Sequence, residues 1–222
     1  MSGSFDERKA ETRDMIFQAG RKVFSEKGFH KAQIADIVRE AGTSTGSIYA
    51  HFKDKRDLFK QITRENLERL RGTLKMLSET KKPGDARERV LQWKPAYSAF
   101  FDYVDANPEE ILIIVRGGFG VDEEQDMTLW EFFHDFATDI ANDFHKWEEL
   151  GFLKGVNGEL QGHIILGMCQ QVALSYVLER HFTREEAISN LLALTQSMVS
   201  LYLTDKGRAE IGDLMVPGVM GE

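Results

Sequence analysis

The sequence has one cysteine, four prolines and no apolar run approaching the length of a membrane span. Each shortage excludes something. Cys169 alone cannot close an internal disulfide, and its setting in IILGMCQQVAL marks it as a small buried apolar group rather than a nucleophile. A conspicuous apolar run such as ILIIV at 111–115 falls far short of the ~20 residues that cross a bilayer. The opening residues, MSGSFDERKAETRD, are too polar and acidic for a signal peptide, so the expected location is the cytoplasm. Internal repeats and low-complexity stretches are missing, as are a glycine-rich phosphate loop, a nucleophile elbow and a Cys-x-x-Cys pair. Positive charge is also short: 28 Lys and Arg stand against 36 Asp and Glu, for a net charge of -8. Taken alone, that balance argues against a nucleic-acid partner, because neutralisation of phosphates dominates such affinities.

The distribution of charge reverses that inference. Residues 1–60 hold 12 Lys and Arg against 9 Asp and Glu, whereas residues 61–222 hold 16 against 27. The basic surplus sits on one N-terminal segment of an otherwise acidic body, a pattern that suggests a binding module. The chain is otherwise an ordinary globular one: 222 residues at 42% hydrophobic composition can bury a substantial core.

Periodicity predicts helices almost throughout. Met15, Ile16, Ala19, Val23 and Phe24 recur at three- and four-residue spacing in a helix that runs from Arg8 and stops at Gly28. Ile34, Ile37, Val38 and Ala41 give a short second helix ended by Gly42. Ser44 or Thr45 can cap a third, carrying Ile48, Tyr49 and Phe52, and Asp54 can cap a fourth that continues through Leu77. A Lys-Lys-Pro-Gly-Asp break at 81–85 is followed by predicted helices at about 85–106, 108–117, 123–150, 158–181 and 184–204. No convincing strand is present. The expected fold is all-α, with an N-terminal helical domain at 10–70, a C-terminal domain at 71–205 and a tail at 206–222.

The stretch IADIVREAGTSTGSIYAHF, residues 34–52, carries the chemistry. Two short helices joined by a tight turn at Gly42 form a helix-turn-helix, spanning about 33–52, in which the first helix braces the second for entry into a major groove. Thr45, Gly46 and Ser47 occupy the first turn of that second helix, where bulky side chains would hold it off the base edges and free backbone N–H groups favour phosphate. Tyr49 can offer its hydroxyl to a phosphate, while Ile48 and Phe52 anchor the opposite side.

This stretch resembles the TetR family of transcriptional regulators, on a pattern running through Phe24, Gly28, Phe29, Ile37, Ala41, Gly42, Ser44, Gly46, Tyr49, His51, Phe52, Lys55, Leu58 and Phe59. The resemblance implies an all-helical homodimer whose N-terminal three-helix domain binds a palindromic operator and whose C-terminal domain binds a small effector, with repression released by ligand as the expected mode. It assigns DNA contact to Gln33, Thr43, Ser44, Thr45, Gly46, Ser47, Tyr49, His51 and Lys55. Of these, Thr45 and Ser47 are expected at base edges, Tyr49 and His51 at or beside the backbone, and Lys55 on a phosphate. The chain departs from the family at Ala32 and Gln33, where Thr or Ser often opens the second helix, at Val38, where a small residue is usual, and at Thr43, where valine is common.

Thirteen of the 23 aromatic residues lie between Trp93 and Phe152. They can line an apolar effector pocket or simply form core. Trp93, Tyr97, Phe100, Phe101, Trp130, Phe133 and Phe136 are the candidate contacts, with Arg116 as a partner for an anionic group or as ordinary helix-terminus chemistry. The effector is expected to be an uncharged or weakly anionic, largely apolar or amphipathic molecule. Ile164–Leu178 and Ala187–Leu203 are apolar on more than one face, as paired dimerisation helices would be. The competing enzyme reading rests on Glu131 and His134, a Glu-x-x-His unit of the kind used in helical-bundle metal sites. A di-metal site needs two such units, and Glu159/His163 and Glu179/His181 have the wrong spacing, so no metal, cofactor or catalytic residue is expected.

Overall fold

The computed structural model describes the backbone of residues 3–79 and 86–216, and the side chains of 6–73, 86–114 and 118–216. Among the described residues the helices run in the order α1 Gly3–Lys31, α2 Ile34–Ala41, α3 Thr45–His51, α4 Lys55–Glu79, α5 Ala86–Leu91, α6 Trp93–Ala106, α7 Pro108–Gly117, α8 Glu123–Glu149, α9 Gly158–Leu178, α10 Arg184–Ser200 and α11 Asp205–Ile211, closed by a 3-10 turn at Gly212–Met215. Extended pairing is limited, among these residues, to an isolated antiparallel bridge between Leu153 and Leu203. The fold class is all-α, and no described helix is long and apolar enough to cross a membrane.

Three local features refine the sequence expectation. Gly28 adopts φ 71, ψ 165, a conformation open to glycine, so the helical run of α1 is interrupted there before a last turn through Lys31. The single helix expected over 85–106 is two, because the chain turns at Gln92 and restarts at Trp93. Pro95 explains the restart: it lacks an N–H, and the first turn of a helix is where that donor is not needed. The expected tail is also structured. Thr204 Oγ1 accepts the Gly207 N–H at 3.1 Å to cap α11, and Ile211, Leu214 and Met215 are buried.

The chain packs as two compact units, one within Met1–Arg69 and Asn107–Leu129, the other within Leu70–Ala106 and Trp130–Glu222. This division differs from a contiguous boundary at residue 70, because α7 and the start of α8 pack with the N-terminal helices. The reason is apolar: Ile113 of α7 is fully buried in the core formed by Ile16, Val23, Phe24, Ile37, Ile48, Phe52, Leu58, Phe59 and Ile62, and Val121 packs against it. Phe24 and Phe59 meet edge to face at 5.0 Å in its centre.

The second unit holds two apolar clusters. One joins Val90, Phe144, Trp147, Phe152, Ile165, Val199 and Ile211; the other joins Tyr97, Phe101, Ile188, Leu191 and Leu192. Trp93, Met168 and Cys169 pack against both. Helices α8 and α9 approach so closely that a Cβ on Gly162 would lie 2.2 Å from the Ala137 carbonyl oxygen, which explains a glycine inside α9 despite its poor helix propensity.

Candidate nucleic-acid interface

The helix-turn-helix is built by three local devices. At the start of α2, the Gln33 N–H donates to Asp36 Oδ2 at 3.1 Å. Asp36 also pairs with Lys27 at 2.7 Å and Arg39 at 2.8 Å, and the Lys27 hydrogen bond, followed by that of the Gln33 amide, holds its carboxyl below the usual range. At the turn, Gly42 sits at φ 60, ψ 32, and its N–H donates to the Val38 carbonyl, a left-handed C-cap that a side chain would strain. At the start of α3, Ser44 Oγ accepts the Ser47 N–H at 3.1 Å. Helix α3 is only seven residues long, too short to stand alone, so its stability comes from Ile48 and Phe52, both almost completely buried in the N-terminal core.

The opposite side of α3 faces outward. Ser44, Thr45, Gly46, Tyr49 and Ala50 are exposed, Ser47 and His51 half-buried, and the Tyr49 ring is 53% exposed. Gln33 is exposed and Thr43 half-buried beside them. A Cβ on Gly46 would meet only Ser44 Oγ, at 3.9 Å. The fold therefore leaves open space where the recognition reading needs it.

Lys55 is placed differently from a free phosphate contact. Its ammonium donates to the Phe29 carbonyl at 2.7 Å and the Ala32 carbonyl at 2.8 Å, and stands 4.4 Å from the centre of the Phe29 ring. Burial holds its pKa below the ordinary lysine value. Two of its three protons are thus committed to tying the end of α1 to the start of α4, which leaves one to donate outward. Lys55→Ala is expected to lower the stability of the N-terminal unit by about 1–2 kcal/mol, through two carbonyls left without a donor, as well as to weaken DNA binding. A urea melt together with a DNA titration separates this from a pure surface contact, which would leave the melt unmoved.

Lys31 and Lys53 were not singled out by the motif, yet both are exposed next to it. The Lys53 backbone is fixed by its N–H donating to Asp57 Oδ2 at 2.9 Å, at the capped start of α4, where Asp54 Oδ1 accepts the Asp57 N–H. A basic residue just before a helix N-terminus was the available signal.

The expected effector contacts do not converge on one spot. Tyr97 and Phe101 are buried against α10, Phe100 meets Phe101 edge to face at 5.4 Å, and Trp93 stacks on Trp147 at 5.8 Å. Tyr97 Oη donates to Thr195 Oγ1 at 2.6 Å, since that hydroxyl itself donates to the Leu191 carbonyl. Phe133 and Phe136 are half-buried on α8. Trp130 is 55% exposed and lies parallel to His134, 4.9 Å away, so it stands on the surface rather than in an interior seat. The Arg116 side chain lies outside the described residues. Cys169 is in an apolar setting that pushes its thiol up to about 12, leaving it neutral at physiological pH. Glu131 and His134 are on an exposed face, and among the described residues no three His, Cys, Asp or Glu side chains are grouped to hold a metal ion.

Comparison with known proteins follows the same outline. The family model described as bacterial regulatory proteins, tetR family, matches residues 16–62. The transcriptional regulator AcrR of Shigella flexneri is 40% identical over 75 residues, 34% of this chain and 34% of that protein. Such first relatives are thus matched over about a third of their length or less. The uncharacterised regulator YdgC of Bacillus subtilis is similar over 171 residues at 23% identity, covering 76% of this chain and 82% of that one. Beyond the motif, the fold is shared with the crystal structure of the regulator FadR from Bacillus subtilis in complex with stearoyl-CoA, at TM-score 0.61 and 20% identity, over 86% of this chain and 97% of the other. The helix-turn-helix segment thus matches the tetR family of bacterial regulatory proteins in sequence, and the chain as a whole shares the all-helical fold of the solved regulator.

Proposed function

We propose that the protein is a ligand-responsive transcriptional regulator that binds a palindromic operator as a homodimer and acts as a repressor released by a small, largely apolar effector. The observation that carries this reading is the outer face of α3: small and hydroxyl-bearing residues over open space, on a helix whose inner face is locked into a core. In this reading Thr45 and Ser47 face base edges. Gln33, Tyr49, Lys53 and the remaining Lys55 proton hold phosphates, and Thr43, Ser44, Gly46 and His51 line the contact. Two recognition helices in a dimer must stand about one DNA turn apart, roughly 34–36 Å, for both half-sites to be engaged.

The effector seat is assigned to the junction of the two C-terminal clusters, beside Trp93, Tyr97, Phe100 and Phe101, where Trp93, Met168 and Cys169 already pack against both sides. A ligand entering there separates two apolar groups rather than opening a single one. Helix α4 contributes residues to both units, so a tilt of it can alter the spacing of the recognition helices. By linkage, a ligand that prefers the DNA-incompetent form ~100-fold weakens operator binding by up to that factor per site, a coupling of about 2.7 kcal/mol.

The test starts with acyl thioesters, the ligand class named for the FadR structure, and extends to free fatty acids and aromatic drugs. Compounds that raise the melting temperature and alter the fluorescence of the stacked Trp93 and Trp147 are then titrated into a complex with labelled DNA. The expected result is release of the duplex. Ligands that stabilise the protein without changing its DNA affinity would refute the sensor mechanism.

A further inference from the structure

The buried charges of the N-terminal unit gather at one place. Glu110, in the first turn of α7, is only 2% exposed, and its Oε1 lies 3.4 Å from Arg21 Nη2 of α1 while also pairing with Arg69 of α4. Arg21, itself 8% exposed, donates to Asn66 Oδ1 of α4 at 3.0 Å and stands 3.5 Å from Glu65 Oε1. Two arginines and two glutamates from three helices therefore balance one another, Arg21 and Glu110 buried and Glu65 and Arg69 reaching solvent. Burial, and then the charge of Glu110, raise the Glu65 carboxyl above its usual range, so the two carboxylates repel and depend on the arginines between them. A buried charge deprived of its partner is costly, which makes such a cluster intolerant of sliding or rotation by any of its helices.

The placement matters because each helix has a second task. Helix α1 carries Ile16, Val23 and Phe24 of the core in which α2 and α3 are anchored, and α4 continues beyond Arg69 into the other unit. The pairing of Glu110 acts where these two helices are held together. We infer that the Glu110 carboxylate is a clasp that fixes α4 against α1, so that DNA affinity depends on a residue of α7 outside the helix-turn-helix. This rests on the proposed DNA-binding function and adds a positioning residue to it.

The experiment uses the full chain and a duplex that the wild-type protein selects from a random pool. Glu110→Gln keeps the shape and an acceptor oxygen but removes the charge. It is expected to weaken binding about tenfold while leaving the salt dependence unchanged, because no phosphate contact is lost. Hydrogen exchange adds a readout that simple destabilisation would not move: DNA should slow exchange of the α7 amides in the wild type and fail to do so in the variant. If Glu110→Gln does not fold, Arg69→Gln replaces it, since that side chain is 41% exposed, with an expected loss of about threefold. Folded variants that bind as the wild type does and keep the α7 protection overturn the clasp alone. A wild-type chain that selects no duplex overturns the regulator reading, and the clasp with it.

Discussion

A leucine in place of Gly46 is expected to abolish DNA recognition while leaving the protein at least as stable as before. Gly46 lies in α3, and nothing but Ser44 Oγ stands within 4 Å of the Cβ a larger residue would add. Within a helix, replacing glycine with leucine is favourable by up to about 1 kcal/mol. The side chain would project from the exposed first turn of α3, where the proposed complex brings backbone and small side chains against base edges. A loss of at least ~100-fold in affinity, about 2.7 kcal/mol, follows if the helix is held out of the groove. Thermal unfolding and fluorescence anisotropy on the same preparation check both halves. Retained binding would show that α3 does not read DNA through this face. Gly42 makes a useful contrast, since its left-handed backbone would charge a side chain about 1–2 kcal/mol whether or not DNA is bound.

The second large effect concerns assembly. Leu160, Ile164 and Leu178 on α9, Leu194 on α10 and Leu201 just past its end are all substantially exposed in the single chain, Leu194 at 54%. Large apolar side chains repeated along two adjacent helices are poorly explained by a monomer surface and are suited to a symmetric pairing of the same helices from two copies. Glutamate at both Ile164 and Leu194 is expected to leave each chain folded, because neither side chain is part of a buried cluster. It should convert a sedimenting dimer to monomers at micromolar concentration. DNA affinity should fall ~100-fold or more, since the second half-site is then no longer bound by a tethered partner. A wild-type chain that sediments as a monomer, with DNA affinity unaffected by the double substitution, would contradict the dimer.

How much of this was legible in the sequence depended on the range of the interaction. The helix-turn-helix was readable because its devices are local: Gly42 must supply a left-handed turn, Ser44 caps three residues ahead, and Ile37, Ile48 and Phe52 recur at helical spacing. The long downstream helices were equally plain from periodicity. The break at Gln92 was missed because the apolar stripe continues across it, although Pro95 was the available sign. The expected tail at 206–222 includes structured residues up to 216, because their few apolar groups gain meaning only through burial against distant helices.

Long-range partners were harder still. Lys55 is legible in the sequence only as a phosphate ligand, because its position in the motif is visible and the Phe29 and Ala32 carbonyls it also serves are not. Nothing in the sequence singles out Glu110, since its arginines are 89 and 41 residues away in sequence. The aromatic-rich segment is compatible with a pocket or with plain core, and the turn of the helices sends Phe101 into the core and Trp130 to the surface. Density of a residue type along the chain does not report which face each member occupies.

The central claim is that the outer face of α3 reads DNA in a two-fold symmetric arrangement, and selection of bound duplexes from a random pool by the purified full-length chain tests it most directly. The account predicts enrichment of a palindrome whose half-sites are centred about one helical turn apart, with enrichment lost for Gly46→Leu. Recovery of no enriched sequence by a folded wild-type protein, or of the same sequence by Gly46→Leu, would contradict it.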